Sequence, residues 1–542
     1  MLLPCHSISR SSEREDLSAY EARVEFSEVT LNNDPSPSPV ETLPGEKDHH
    51  AEKKLILSDR ETICRARAFP DDTTPILLIF SQHDIDNPRN WSRARKWYIT
   101  CFVSMLNVLT CLCAGGYSSG APEISSEFHV SSEVATLGLS MYILGFAIGP
   151  LLLAPLSEHW GRNPIYIWSW LLLVLLQIPV ALAPNMGTVI GCRFLQGFFG
   201  SSPLTNSGGT VSDLWVRDKS GSAMAVYGLS STLGPPLALP ITGFLAVYKG
   251  WRFLFWFFMA VLGAAWVLMV LTLPETRHTI ILQRKTHRVR AQLAAEGLKA
   301  ASNIIDATAA ERKGWVKLFS VTLTRPIRFL LTEPITTSAA IYNGFIYGLI
   351  FLFNEAFPIV FSSPPHSFSP GLTSLTFLGL CVGSLFAFFL HPVQEHYYRQ
   401  HCTPEARMWM ALPGSFLLPI GLFMFGWTSS LSTPCGWLAP VVGSALFGAG
   451  VFIVILAVLN YVVDSYHAYS ASALAGVILV RNLVGAGFPM FAAQMYGSLG
   501  PKWASSVLGF LGLILCGIPW WFFYCGVGIR RRSSWAMENR GE

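Results

Sequence analysis

The amino-acid sequence predicts an all-α polytopic membrane protein of about twelve transmembrane helices in two six-helix halves, and three observations carry that reading. Charged residues fill only 13% of the 542 positions while 51% are hydrophobic, against about 25% charged in soluble domains. Apolar runs of about 20 residues, the length that crosses a bilayer as a helix, recur from Trp97 to the end, separated by short charged or Pro/Gly-rich loops. An octet also repeats: Pro155-Leu-Ser-Glu158-His159-Trp-Gly-Arg162 and Pro392-Val-Gln-Glu395-His396-Tyr-Tyr-Arg399 keep Pro, Glu, His and Arg at identical spacing. Each copy follows an even-numbered apolar run, so the halves are expected to be parallel, related by an axis along the membrane normal.

The elements follow in order. Residues 1–80 are rich in Ser, Glu, Asp and Pro, too polar to bury a core, and are expected to form a disordered cytoplasmic tail. Its start carries only a three-residue apolar stub, so no cleavable signal peptide is read there. The expected spans are 97–118, 134–155, 165–184, 189–211, 221–247 and 252–273 in the first half. In the second half they are 332–361, 371–392, 406–428, 437–463, 470–495 and 503–526. The halves are thus 97–273 and 332–526, joined by a cytoplasmic loop 274–331 and followed by a cytoplasmic tail 527–542. Within the loop, QRKTHRVRAQLAAEGLKA is basic and amphipathic and is expected to lie on the anionic inner leaflet.

Orientation follows from the basic residues. With both termini cytoplasmic, Arg89, Arg93, Arg95, Lys96, Arg162, Arg217, Lys219, Arg399, Arg407, eleven Lys/Arg in 274–331, and Arg530, Arg531, Arg532 and Arg540 lie inside; only Lys249, Arg252 and Lys502 lie outside. Net charge is only +4 and no basic patch forms, which excludes nucleic acid as a partner. Cys101, Cys111, Cys113, Cys381 and Cys516 lie inside apolar runs and read as buried small apolar residues. No metal site, cofactor motif, nucleotide-binding loop or catalytic triad is present, so an enzyme is not expected, and any uphill flux needs an ion gradient.

Charges inside the membrane mark function, because each is costly unless it faces the bundle interior and finds partners. Arg193 is placed near the middle of the fourth span, either coupling or pinning helices through carbonyls. Glu355 and Asp464 are the candidate proton acceptors; Asp464 reads equally as a helix-end residue, and Glu355 could hold a break at Pro358. Arg481 is the natural partner for a carboxylate of the second half. Gly161 permits a tight turn, and Glu158 and Arg162, like Glu395 and Arg399, can form a charge-assisted latch. Candidate substrate contacts at the midplane are Asn107, Tyr142, Gln196, Asn206, Tyr342, Asn343, Tyr347, Asn354, Asn460 and Tyr461, each of which could instead seal a helix contact. With so few fixed acids, they suggest an amphipathic substrate, uncharged or weakly cationic.

The Pro155–Arg162 loop, Arg193-Phe-Leu-Gln-Gly197 and the fifth-span Gly234-Pro235…Gly243-Phe244 together resemble three signature motifs of the major facilitator superfamily. Asn87-Pro-Arg-Asn-Trp91, Asn206-Ser-Gly-Gly209, Pro274-Glu275-Thr276, Thr324-Arg-Pro-Ile-Arg328 and Asn460-Tyr461…Asp464-Ser-Tyr466 narrow the resemblance to its fungal twelve-span drug:proton antiporters, over residues 84–530. The resemblance implies a major facilitator fold and proton-coupled efflux of drugs or a secondary metabolite. It also implies a latch that closes the cytoplasmic side and an Arg193 tied to coupling. A monomer in the plasma membrane is expected, with the vacuolar membrane left open. The chain departs from the pattern at His159 and Asn163, where a basic residue is common, and at Ala238, Leu239 and Thr242 in the fifth span. Uptake or facilitated diffusion of a nutrient, and a non-transporting membrane sensor, are the alternative readings.

Overall fold

The computed structural model describes residues 55–57, 59–68, 76–81, 83–216, 220–298, 303–308, 315–433, 435–466 and 469–536. Residues 1–54 of the expected tail 1–80 and the basic residues Arg217, Lys219 and Arg540 lie outside them. The first half is built from Arg93–Gly115, Ser132–Trp160, Arg162–Leu175 continued by Gln177–Ala181, Met186–Leu214, Gly221–Lys249 and Trp251–Thr272. The second contains Pro334–Ser362, Leu378–His401, Ala411–Thr428, Leu438–Tyr466 and Ser470–Leu515, with Gly517–Arg532 completing the twelfth span. Gly500, at φ 74° and ψ 161°, divides Ser470–Leu515 into the eleventh span and the start of the twelfth. Among the described residues, ten helical stretches are long and apolar enough to cross a membrane, the last of them holding two spans. The fourth span falls short because it buries Arg193, Gln196, Asn206 and Asp213.

Side-chain oxygens cap helix starts at Ser92, Ser131 and Asn185, satisfying amides that otherwise have no partner. Small residues set the helix pairing, as lipid tails give no hydrophobic drive for helices to associate. Gly197 of the fourth span lies under the Tyr142 carbonyl of the second, and Gly383 of the eighth lies under the Ala445 carbonyl of the tenth. The two halves therefore use the same pairing. The fifth span is one continuous helix through Pro235, Pro236 and Pro240. Gly234 packs on Cys111 of the first span, and a Cβ on Gly115 would lie 3.2 Å from the Ala238 Cβ. The close approach thus survives the loss of small residues in the fifth span because the first span supplies the glycine. Pro358 likewise leaves the seventh helix unbroken to Ser362, so Glu355 holds no break there. Cys101 is exposed on the outer surface of the bundle, not buried, since its position in the helix faces away from the neighbouring spans.

Outside the bundle, the structure differs from two expectations. Within the expected tail, β1 (Leu55–Leu57) and β2 (Ile76–Leu78), with a helix Asp59–Ala68 between them, join β3 (Ile304–Asp306) of the connecting loop in a parallel sheet ordered β1-β2-β3. The amphipathic helix His278–Ala295 does not turn its apolar face to lipid. Leu282, Val289 and Leu293 pack against Ile76, Leu78, Ala66 and Ile304, which cover that face. Lys285 on this helix meets Asp59 at 3.0 Å, Asp86 at 3.5 Å and the carboxylate of Asp84. Burial works to lower its pKa, but the hydrogen bonds and charges of Asp84 and Asp59 outweigh it and hold the ammonium above its ordinary 10.5. The stabilisation is therefore complete at neutral pH and is lost only as pH rises through the raised value. Lys285→Met is expected to release the segment 55–86, read as faster cleavage there in limited proteolysis with the twelve spans intact.

Candidate functional site

Two buried charge clusters lie at the proximal end of the bundle, the end at which the first span starts. Gly161 closes the second span at φ 107°, and a Cβ there would strike the Glu275 carboxylate. That carboxylate accepts from the amides of Arg162 (3.0 Å) and Asn163 (3.3 Å), capping the third helix. The Arg162 guanidinium pairs with Asp213 at the end of the fourth span (3.3 Å) and donates to Ser157 (2.8 Å) and Asn206 (3.4 Å). Arg277 reaches the other oxygen of Asp213 at 3.4 Å. Glu158, the expected partner, is exposed and forms no ion pair among the described residues, because its side chain leaves the helix on the face away from Asp213.

The second half repeats this link with a different arginine. Arg407, just before the ninth span, pairs with Asp464 at the end of the tenth (2.8 Å) and with Glu395 at the end of the eighth (3.1 Å), its guanidinium 3.2 Å over the Tyr398 ring. Arg399 touches Glu395 only at 3.6 Å with its side chain 62% exposed. The equivalence Arg162 to Arg399 suggested by the octets is thus corrected to Arg162 to Arg407. The eighth helix runs on past the octet to His401, so the arginine that opens the next span falls later in sequence. The legible signal was another repeat, Asp213-Leu-Trp215 and Asp464-Ser-Tyr466, which places an acid before the end of each fourth helix. Asp464 is therefore a helix-end ion-pair residue in this conformation, and Asn206 belongs to the Arg162 cluster. Tyr461 stacks on Phe522 at 4.9 Å beside the Glu405–Arg530 pair, away from the midplane. A Cβ on Gly221, the first residue of the fifth helix, would lie 2.5 Å from the Glu395 carboxyl. This brings a second-half carboxylate onto the positive end of a first-half helix.

Arg193 is fully buried and fully satisfied. It donates to the carbonyls of Gly138, Cys113 and Ala114 at 3.1 Å each and to Gln196 Oε1 at 3.2 Å. The rings of Tyr117 and Tyr142 face its guanidinium at 4.8 and 4.2 Å. It sits seven residues into its helix, roughly 10 Å from the start and short of the middle. Gln196 and Tyr142 are part of this node: Gln196 donates to Leu176 O and Gln177, and Tyr142 donates to Thr110 O. The Tyr117 hydroxyl also lies in the field of Glu355 across the two halves.

A third group lies between the halves. Arg481 of the eleventh span stands 4.5 Å over the Tyr347 ring of the seventh, and both lie in electrostatic range of Cys111 of the first span and Tyr227 of the fifth. Along the first and seventh helices, several buried polar atoms form no hydrogen bond. On the seventh helix these are Thr336 Oγ1, Asn343 Oδ1, Tyr347 Oη and both amide atoms of Asn354; on the first they are Ser104 Oγ and Asn107 Oδ1. Spacings of 7, 4 and 7 put the former on one helical face, and Ser104, Asn107 and Cys111 share a face likewise. An unsatisfied buried polar atom costs about 1–3 kcal/mol, so a stripe of them points to a site that a ligand or water completes. Of the expected contacts, the structure brings Asn343, Tyr347, Asn354 and Asn107 to these two facing stripes. Tyr342 instead faces Cys516 of the twelfth span, and Asn460 lines a small cavity beside His391 and Gln394. Arg481 has no carboxylate within 4 Å among the described residues. Asp464 is held by Arg407, and Glu355 lies eight residues, about 12 Å, further along its helix than Tyr347.

The family model of the Major Facilitator Superfamily matches residues 103–489. The chain belongs to the major facilitator superfamily. It is 37% identical over 475 residues to the Aspergillus fumigatus "Major facilitator superfamily multidrug transporter mdrA", covering 86% of this chain and 76% of the relative. It is 35% identical over 477 residues to the Trichophyton rubrum "MFS-type efflux pump MFS2", covering 86% and 78%. The partially occluded inward-open structure of the xylose transporter XylE from E. coli superposes with a TM-score of 0.58 at 15% identity, covering 79% of this chain and 98% of that one, and supports the fold. As a member of this superfamily the chain is a multi-pass membrane transporter of small molecules and not an enzyme.

Proposed function

We propose that this transporter exports a small amphipathic molecule, a xenobiotic or secondary metabolite, in exchange for protons. The observation that carries the reading is the pair of unsatisfied polar stripes on the first and seventh helices, one from each half, where alternating access needs a shared site. The direction is supported by the names of the relatives, a multidrug transporter and an efflux pump. The excess of Lys and Arg at the proximal end supports cytoplasmic termini. The plasma membrane and a monomeric state complete the reading. In it, the Arg162–Asp213 and Glu395–Arg407–Asp464 clusters hold the cytoplasmic side closed, and Arg193 positions the first, second and fourth helices. Glu355 takes up the proton. It lies inside the bundle with no ion pair among the described residues, and its charge reaches Tyr117, whose ring also faces Arg193.

Proteoliposomes test the coupling. Accumulation should follow an imposed pH gradient in the wild type. In Glu355→Gln it should lose the gradient while substrate-for-substrate exchange continues. Gradient-driven accumulation that persists in Glu355→Gln removes the assignment. A second reading, facilitated diffusion, is favoured by Ala238, Leu239 and Thr242 in the fifth span, and flux that ignores the gradient in the wild type would establish it.

A further inference from the structure

Arg481 is 2% exposed, and its Nε and Nη2 atoms meet no acceptor. The other buried arginines of the bundle are satisfied: Arg193 by carbonyls, Arg162 by Asp213, Arg407 by Glu395 and Asp464, and Arg530 by Glu405. A buried guanidinium left without an acceptor is among the most costly states a side chain can hold. Tyr347 offers the ring face at 4.5 Å, which eases the charge but accepts no N–H. Eleven residues into its helix, about 16 Å, Arg481 stands near mid-depth in the bilayer, where the two halves meet.

The unpaired atoms define the ligand. Nε and Nη2 form one edge of the guanidinium plane, two parallel donors spaced to bind both oxygens of a carboxylate. Tyr347, whose hydroxyl reaches Cys111 and whose ring the guanidinium faces, lines the same place. On the proximal side Asp464 is already spent on Arg407, so no fixed carboxylate competes among the described residues. We propose that the central site takes a small organic acid, its carboxylate bound side-on by Arg481 Nε and Nη2, with an apolar or aromatic body lying between the first and seventh helices. The assignment rests on the central-site reading above and reverses the expectation of an uncharged or weakly cationic substrate. A scarcity of fixed acids excludes a strong cation, but the sequence does not show that a buried arginine is left open.

The test uses the purified full chain in detergent and three probes of one shape: 2-naphthoate, 2-naphthamide and 2-naphthylmethylammonium. The wild type is expected to bind the carboxylate roughly 10–100-fold more tightly than the amide, the value of a bidentate charged contact. Arg481→Gln should bring carboxylate and amide to equal affinity, and a cooperative melting transition of the purified variant shows that it is folded. Arg481→Glu should shift the preference to the ammonium. Equal binding of carboxylate and amide by the wild type, a carboxylate preference that survives Arg481→Gln, or no binding of any probe overturns the proposal. Tyr347→Ala separates the two levels of the reading. If it weakens all three probes while charge makes no difference, the central site stands and the acid class falls. If it weakens none, the central site itself is misplaced.

Discussion

Arg407→Ala is expected to lower the unfolding free energy by about 3–5 kcal/mol, because it removes the buried charge that pairs with both Glu395 and Asp464 and leaves Glu395 only the mostly exposed Arg399. The loss should appear as a large fall in the melting temperature of the detergent-purified protein, together with loss of transport. Arg399→Ala should stay within roughly 0.5 kcal/mol of the wild type, since that side chain is mostly in solvent. Pairing Arg407→Ala with Asp464→Ala should be clearly less than additive, as removing the second charge relieves part of the first defect. An additive pair, or an Arg399→Ala variant as damaged as Arg407→Ala, would show that the wrong arginine has been matched to Arg162. The same logic applies in the first half to Arg162→Ala, with Asp213 as its partner.

Arg193→Ala is expected to abolish transport and to destabilise the protein together. Three backbone carbonyls of the first and second spans and Gln196 Oε1 lose their donors at once, at about 1–3 kcal/mol for each group left unsatisfied. Arg193→Lys should recover little, because one ammonium cannot present the planar fan of N–H groups that reaches carbonyls on two helices. Melting temperature and transport, measured on the same preparation, decide between roles. A fall in both makes Arg193 the pin that fixes the first, second and fourth spans, through which it bears on coupling. An unchanged melting temperature with lost transport would show that the carbonyl contacts are dispensable and that the charge acts on the transported species.

The depth of the apolar runs, their number and the parallel halves were legible because lipid imposes them on composition one residue at a time: a spanning helix must be apolar over its length whatever its neighbours. That Arg193 and Arg162 are charges in or beside the membrane was legible for the same reason, since such residues are rare enough to be conspicuous. Their partners were not. Glu158 sits four residues from Arg162 and Asp213 fifty-one residues away, and sequence distance favours the wrong one; helix packing at Gly197 and Gly383 brings the fourth and tenth spans alongside. Sequence matched Arg481 to a carboxylate, whereas the packing satisfies Arg193 and leaves Arg481 Nε and Nη2 open. The strands Leu55–Leu57 and Ile76–Leu78 were not legible because their few apolar residues look insufficient alone. They suffice once Leu282, Val289 and Leu293 of the connecting loop complete the cluster. Sequence by itself therefore determined the solvent, the number of spans and the repeat, because these depend on residue chemistry against lipid. Tertiary structure alone decided which charges meet and which polar atoms remain unpaired, because a partner is chosen by the face a helix turns to its neighbour.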